Sequence, residues 1–288
     1  MIRLLFYLIT FSCLEGGQGN SGVTWFSPPT FPPDRSRRCY FCGCIIELRL
    51  TLQHSSRYNK STLRNTQSLK VYTNTQHTKF VNVDTTTPAG IDQAKSLGLV
   101  SSGVADVAFT SLIGYAGKMF NPPKERGRVF SVFRHPVERA ASQFYHDQRV
   151  GTDPAVVDMT LVEYVMSGRV EGDWMTKALV GKPVGIPLSN DDLILAMEVI
   201  RRKILVGLSD RMEESLLRFQ KYFGWDKMFA SNRNILACQN GILSETGLQN
   251  PTVQKGSEGW ERIEAQNRND VNLYEYALKL YTIQGQNL

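Results

Sequence analysis

The sequence predicts an α/β fold, a parallel sheet flanked by helices, and three observations lead there. Short apolar runs recur from residue 80 onward, at 104–109, 128–133 and 204–208. The stretches between them carry helical signals: a capping residue before a proline, or apolar positions returning every third and fourth residue. Several of the runs are continuous rather than alternating, the pattern of strands buried on both faces. Strands separated by helical lengths pair in parallel through right-handed crossovers. The 288 residues suffice for one large domain or two small ones with a sizeable core. A hydrophobic share of 42% and a charged share of 21% are those of an ordinary soluble globular protein. The 33 Lys+Arg against 27 Asp+Glu give +6 and a pI near 9.0. That modest excess suits an anionic ligand or surface, and no nucleic acid is expected as a partner.

Taken in order, the chain opens with "MIRLLFYLITFSCLEGG": one early cation, Arg3, then an apolar run from Leu4 to Leu14. A spanning helix needs ~20 apolar residues, so the run is short for one. Residues 1–17 read as a secretory signal peptide, with a short signal-anchor and a buried first helix as the alternatives. Residues 18–70 are rich in Pro, Ser and Arg without a period of 2 or 3.6, and read as irregular. Of the five cysteines, Cys13 lies in the leader and Cys39, Cys42 and Cys44 form a cluster. Three thiols without a second pair support no zinc site, so no metal is expected. A disulfide from Cys238 to one of the three is open in a secretory context. Asn59-Lys60-Ser61 is the one sequon with a permitted middle residue.

Residues 71–288 carry the predicted domain. "KFVNVD" reads as a strand, and Thr87 with Pro88 starts a helix. Helices follow at Leu161–Met166, Trp174–Val180 and "NDDLILAMEVIRRK", then a strand at "ILVGL". Asp210 and Glu213 have capping-box spacing. The helix after them repeats Met212, Leu216, Phe219 and Phe223 on one stripe, and Gly224 ends it. One last helix is expected from Trp260 to Gln284, burying Leu273, Tyr274, Ala277, Leu278, Leu280 and Tyr281.

The functional signal is "VFSVFRHPVERAASQFYH", residues 129–146. In an open parallel sheet, ligands bind beyond the carboxyl ends of strands. The strand delivers Arg134 to that edge, and Pro136 starts a helix whose first N–H groups would face the same space and favour an anion. Val137, Ala140, Ala141, Phe144 and Tyr145 make the expected buried stripe. His135, Arg139, Ser142 and His146 fall on the opposite face. An arginine can hold phosphate oxygens in a bidentate grip, so Arg134 and Ser142 would make a phosphate cradle. A solvated helix face is the plain alternative.

The segment "FRHPVERAASQFYH" resembles R-x-P-x-x-R-x-x-S-x-[FY], by which sulfotransferases hold the 3′-phosphate of 3′-phosphoadenosine 5′-phosphosulfate (PAPS). It is most similar to the Golgi membrane-associated carbohydrate sulfotransferases. "ILVGLSDRMEESLLRFQKYFGW" resembles that family's V-G-L-x-[ED]-x-x-E-x-S-L, and "NRNDVNLYEYALKLY" its closing N-x-x-D-x-x-L-Y-E-[YF]-A. "DWMTKAL" resembles a stretch that more often begins with Asn, so Asp173 departs from it. "VQKGSEGW", residues 253–260, is faintly similar to the R-K-G-x-x-G cofactor loop of cytosolic sulfotransferases. The resemblance implies a P-loop-NTPase-like fold with PAPS as co-substrate. It implies Arg134 and Ser142 on the 3′-phosphate, with Arg139 supporting them.

It also implies a loop of the form P-K-x-G-[TS]-[TS], whose amides cradle the 5′-phosphosulfate. No such loop is found. "YNKSTLRN" has Lys60, Ser61 and Thr62 without a glycine, and in "GYAGKMF" Gly117-Lys118 is followed by Met119. A general base must also deprotonate the acceptor. His77 is the best-placed histidine, with Asp84 and Asp106 as alternatives and an exposed loop histidine as the plain reading. The expected function is sulfuryl transfer from PAPS to a carbohydrate hydroxyl in the Golgi, with a glycan partner and membrane attachment through the N-terminus. A catalytically inactive protein keeping only the 3′-phosphate half-site is the alternative, and an unrelated α/β domain the third.

Overall fold

A computed structural model of the chain describes residues 10–15, 68–73, 79–85, 87–102, 107–110, 112–121, 126–150, 153–223 and 252–286. Its main sheet has four strands: β1 (Thr10–Glu15), β4 (Val107–Thr110), β5 (Arg126–Phe133) and β6 (Ile204–Leu208), in the order β4-β1-β5-β6. β5 and β6 pair in parallel, Val129 opposite Ile204 through Phe133 opposite Leu208. β1 runs antiparallel to both of its neighbours, with Phe11 opposite Phe109 on one side and Phe130 on the other. Because β4 and β5 each oppose β1, the strands β4, β5 and β6 share one direction.

The predicted parallel sheet is therefore corrected in one respect. The strands that follow one another along the domain run alike, as crossover connections require. β1 falls outside that rule, since it comes from the segment the sequence assigns to a leader. It fills the space between β4 and β5, whose facing edges would otherwise carry open rows of amides and carbonyls. The strand predicted at "KFVNVD" is also not in this sheet. β2 (Val71–Thr73) and β3 (Lys79–Val81) form a separate antiparallel pair. Buried Asn82 ties that pair to its approach, accepting from Lys70 N at 2.7 Å and donating to Ser68 O at 3.0 Å.

The helices follow the local signals closely. α1 (Pro88–Ser96) is capped by Thr87, which accepts from Gly90 N. After the short turns α2 (Leu99–Ser102) and α3 (Ile113–Ala116) come α4 (Pro136–Val150), α5 (Pro154–Val157), α6 (Leu161–Met166), α7 (Trp174–Val180) and α8 (Asn190–Lys203). Ser189 and Asp192 form a capping box on α8. All five residues of β6 are buried, as its continuous apolar run predicts. α9 (Met212–Phe223) buries Met212, Leu216, Phe219 and Phe223, the expected stripe. Phe219 and Phe223 pack on Phe130 of β5 with ring centroids 4.5 and 5.2 Å away. Gly207 makes that approach possible: a Cβ there would meet the Phe219 ring at 2.5 Å. The glycine of the V-G-L motif is thus a packing residue. The other face of β5–β6 is covered by α7, α8 and the C-terminal helix, around Phe133, Val206, Ile200, Leu273 and Tyr281.

The single C-terminal helix expected from the sequence is two: α10 (Glu258–Gln266) and α11 (Arg268–Gly285). Asn267, fully buried, makes the break. Its Nδ2 donates to Ile263 O of α10 at 2.8 Å while its Oδ1 accepts from Asp173 N at 3.1 Å, so the side chain ties the end of α10 to a distant backbone. Leu278, predicted as buried, is 37% exposed. Among the described residues, no helix is long and apolar enough to cross a membrane.

Candidate functional site

β5 ends at Phe133 beside the end of β6, where Ser209 N donates to Phe133 O at 2.9 Å. Arg134 is the next residue, at the carboxyl edge that β4, β5 and β6 share. Its side chain is 24% exposed, and its Nε lies 3.9 Å from Glu138 one helical turn on. Burial pulls the guanidinium below its ordinary range, and the Glu138 carboxylate and Tyr274 oppose that. A cation held partly out of water at a strand tip interacts more strongly with an anion than an exposed one.

His135 does not share a helix face with Arg139, as its spacing suggests. It stands ahead of α4, stacked on Trp260 at 4.9 Å and edge-on to Tyr274 at 5.4 Å. Its Nδ1 accepts from Val137 N at 3.3 Å, which fixes the neutral tautomer with the proton on Nε2. Burial pulls its pKa down, with Glu138, Glu264 and Asp210 raising it and Lys255 lowering it. This capping changes the expected anion site. Pro136 has no N–H, and that of Val137 is taken by the histidine, so the first turn of α4 offers less to a ligand than the sequence suggests. The segment 253–260 supplies compensation, because Trp260 stacks on His135 and Lys255 adds its field to the same place. His135 and Trp260, 125 positions apart in the chain, thus meet at one strand tip.

Ser142 is buried at 6% exposure, and so are Arg139 and His146 at 9% each. The helix face opposite the expected stripe is covered, because α4 packs against α5, α6, α10 and α11 rather than along one side. Arg139 donates from Nη2 to Glu171 O at 3.3 Å, sits 5.5 Å from the Trp174 ring centre, and has a buried Nε without a hydrogen-bond partner. It lines a cleft of about 810 Å³ that is not lined by Arg134 or Ser142. The three residues expected to serve one phosphate are therefore distributed: Arg134 at the strand tip, Ser142 inside, Arg139 beside a separate cleft.

The sequence assigned no role to Asp270, and the structure gives it one. Its carboxylate is fully buried and accepts from Met175 N and Thr176 N at 2.8 Å and from Thr176 Oγ1 at 2.7 Å, capping α7. Asp173 returns the service, accepting from Asp270 N at 3.1 Å and from Asn269 Nδ2 at 2.8 Å. Each helix start is capped from the other. Burial pushes the Asp270 carboxyl up, while the Arg139 guanidinium and the three donors pull it back down. Asp173 has φ of 54°, a left-handed conformation that Asn and Asp adopt more readily than other residues with a side chain. The departure from Asn in "DWMTKAL" therefore preserves the backbone. The N-x-x-D signature, Asn267 and Asp270, was visible in the sequence as part of a pattern; its structural purpose was not.

His77 and Asp106 lie outside the described residues, as do Lys60, Ser61, Thr62, the sequon at Asn59 and the cysteines at 39, 42, 44 and 238. Asp84 sits in the turn ahead of α1, its carbonyl accepting from Thr87 N at 3.3 Å. Gly117 to Met119 form a 3-10 turn, with Lys118 Nζ 3.7 Å from the Tyr115 ring centre, and not a phosphate loop. Among the described residues no group of three His, Cys, Asp or Glu is placed to hold a metal. Compared with known proteins, the chain matches no family model, no curated protein and no solved structure.

Proposed function

We propose that this chain is a PAPS-dependent sulfotransferase of the carbohydrate type, with Arg134 on the nucleotide's 3′-phosphate. The observation that supports the reading is the placing of Arg134 at the carboxyl edge of three like-directed strands, with the 253–260 segment beside it. Charge at that tip favours a phosphate, and the His135–Trp260 stack offers flat apolar surface for the nucleotide body. In the reaction an acceptor hydroxyl oxygen attacks sulfur in line as the bond from sulfur to the 5′-phosphate oxygen breaks. The acceptor proton goes to a base, for which His77 remains the proposed residue. The products are a sulfate ester and adenosine 3′,5′-bisphosphate. Positioning and charge stabilisation carry such a step. The proposed setting is the Golgi, with a glycan as acceptor.

The direction of β1 favours a second reading, the inactive half-site binder. Its carboxyl end, Glu15, lies opposite Arg126, at the edge of the sheet away from Arg134. A phosphate loop following β1 would start on the wrong side to share a nucleotide with that arginine. Titration of adenosine 3′,5′-bisphosphate by calorimetry tests the nucleotide site, and transfer of radiolabelled sulfate to a glycan panel tests the reaction. Binding with transfer supports the enzyme, binding without transfer the half-site protein, and no binding removes both.

A further inference from the structure

The cleft beside Arg139 stands apart from the strand tip and has chemistry of its own. Its wall includes Arg139, Arg169, Lys177, Tyr164, Trp174 and Lys182. Glu171 adds a carboxylate field toward Arg139, and three other carboxylates near the cleft are occupied. Asp153 pairs with Arg169 at 3.1 Å, Asp192 with Lys182 at 2.6 Å, and Asp147 accepts from Gln143 Nε2 at 2.6 Å and Tyr164 OH at 3.2 Å. Two cations are treated differently. Lys177 Nζ donates to Gly172 O at 2.9 Å, and Arg139 Nη2 to Glu171 O at 3.3 Å. Both partners are carbonyls, and among the described residues neither cation has a carboxylate within salt-bridge distance.

Arg139 is nine-tenths buried, and its Nε–H makes no hydrogen bond. A buried donor left in that state costs about 1–3 kcal/mol, so folded proteins rarely keep one without a use. The guanidinium plane lies 5.5 Å from the Trp174 ring centre, and Lys177 is one turn along α7 from that tryptophan. The Arg139 guanidinium, a second cation and an indole thus line one concavity large enough for a small molecule.

We propose that this cleft binds a small organic anion, with a carboxylate or sulfate oxygen on Arg139 and Lys177 and a flat ring against Trp174. The site is separate from the nucleotide site at Arg134 and does not depend on it. Benzoate and phenyl sulfate are suitable probes, differing only in the oxyanion, and calorimetric titration of the full chain with each reads the preference between them. Saturable binding of either probe is expected in the millimolar range. Lys177→Gln, on a half-buried residue whose loss spares the fold, should weaken it about tenfold, and Arg139→Lys, which keeps the buried charge but removes the Nε–H, by at least as much. Adenosine 3′,5′-bisphosphate should leave the probe's affinity unchanged. Absence of saturation in the wild type, equal affinity in the folded Lys177→Gln protein, or competition by the nucleotide would each overturn the proposal.

Discussion

Arg134 and Arg139 stand on one strand–helix unit, five positions apart, and the fold uses them in opposite ways. Arg134 keeps a quarter of its side chain in solvent at the sheet edge, with a loose contact to Glu138. Arg139 is enclosed between α4, α7 and α11, beside the two-way caps of Asp173 and Asp270. The strand tip is partly open to solvent, whereas Arg139 is buried beside two helix starts that cap each other. A motif that writes both residues into one phosphate cradle is divided by packing into a strand-tip rim and a buried cleft wall beside the clasp of Asp173 and Asp270. What surrounds a cation decides its role more than its place in a pattern does.

That contrast can be broken or sharpened. The largest effect should come from the clasp. Asp270→Ala strands three buried donors and removes a carboxylate field from Arg139, so denaturant unfolding should show a loss of about 3–5 kcal/mol. An unchanged midpoint would show that the caps are replaceable by water. At the rim the outcome should be reversed. Arg134→Ala should leave unfolding nearly unchanged while weakening adenosine 3′,5′-bisphosphate by about 1.5–3 kcal/mol in calorimetry, the range for hydrogen bonds to charged groups.

Smaller changes probe each region separately. Asp173→Ala loses two acceptor contacts and puts a β-carbon other than Asn or Asp in the left-handed region, for about 1–2 kcal/mol by unfolding. Asp173→Gly should cost less, because glycine takes that conformation without strain. Thr87→Ala, remote from both regions, should cost about 1 kcal/mol as the loss of one helix cap.

The rim should also respond to pH. Burial depresses the His135 pKa below its ordinary 6.5. Between the folded and unfolded values the unfolded chain binds more protons, so stability is full above about 6.5 and falls as pH drops through the folded value. His135→Gln should flatten this slope in thermal melts taken across the acid range; an unaltered slope would assign it to another group.

Much of the fold was legible because its signals are local. Thr87 and Pro88 start α1, Leu161–Met166 and Trp174–Val180 are helices as expected, and the unbroken apolar run of β6 is buried throughout. Each of those depends on neighbours within a turn or on one strand's own composition. The break at Asn267 was hidden, because its cause is a hydrogen bond to Asp173 94 residues away. The site was legible to the same extent. Arg134 follows from a strand end and a proline, while the stacking of His135 on Trp260 joins segments that no periodicity connects. Trp174 and Lys177 stand in "DWMTKAL", a stretch marked by its resemblance alone, and nothing in it signalled a cleft.

By itself, the sequence determined where most of the helices and the strands β5 and β6 lie, and that one arginine stands at a strand tip. Those are matters of caps, periodicity and backbone restriction, all decided within a few residues. Only the tertiary structure decided that β1 runs against its neighbours, that Ser142 and Arg139 are enclosed, and that Asp270 and Asp173 cap each other's helices. Burial and long-range hydrogen bonding depend on which surfaces meet, and a linear pattern does not contain that information.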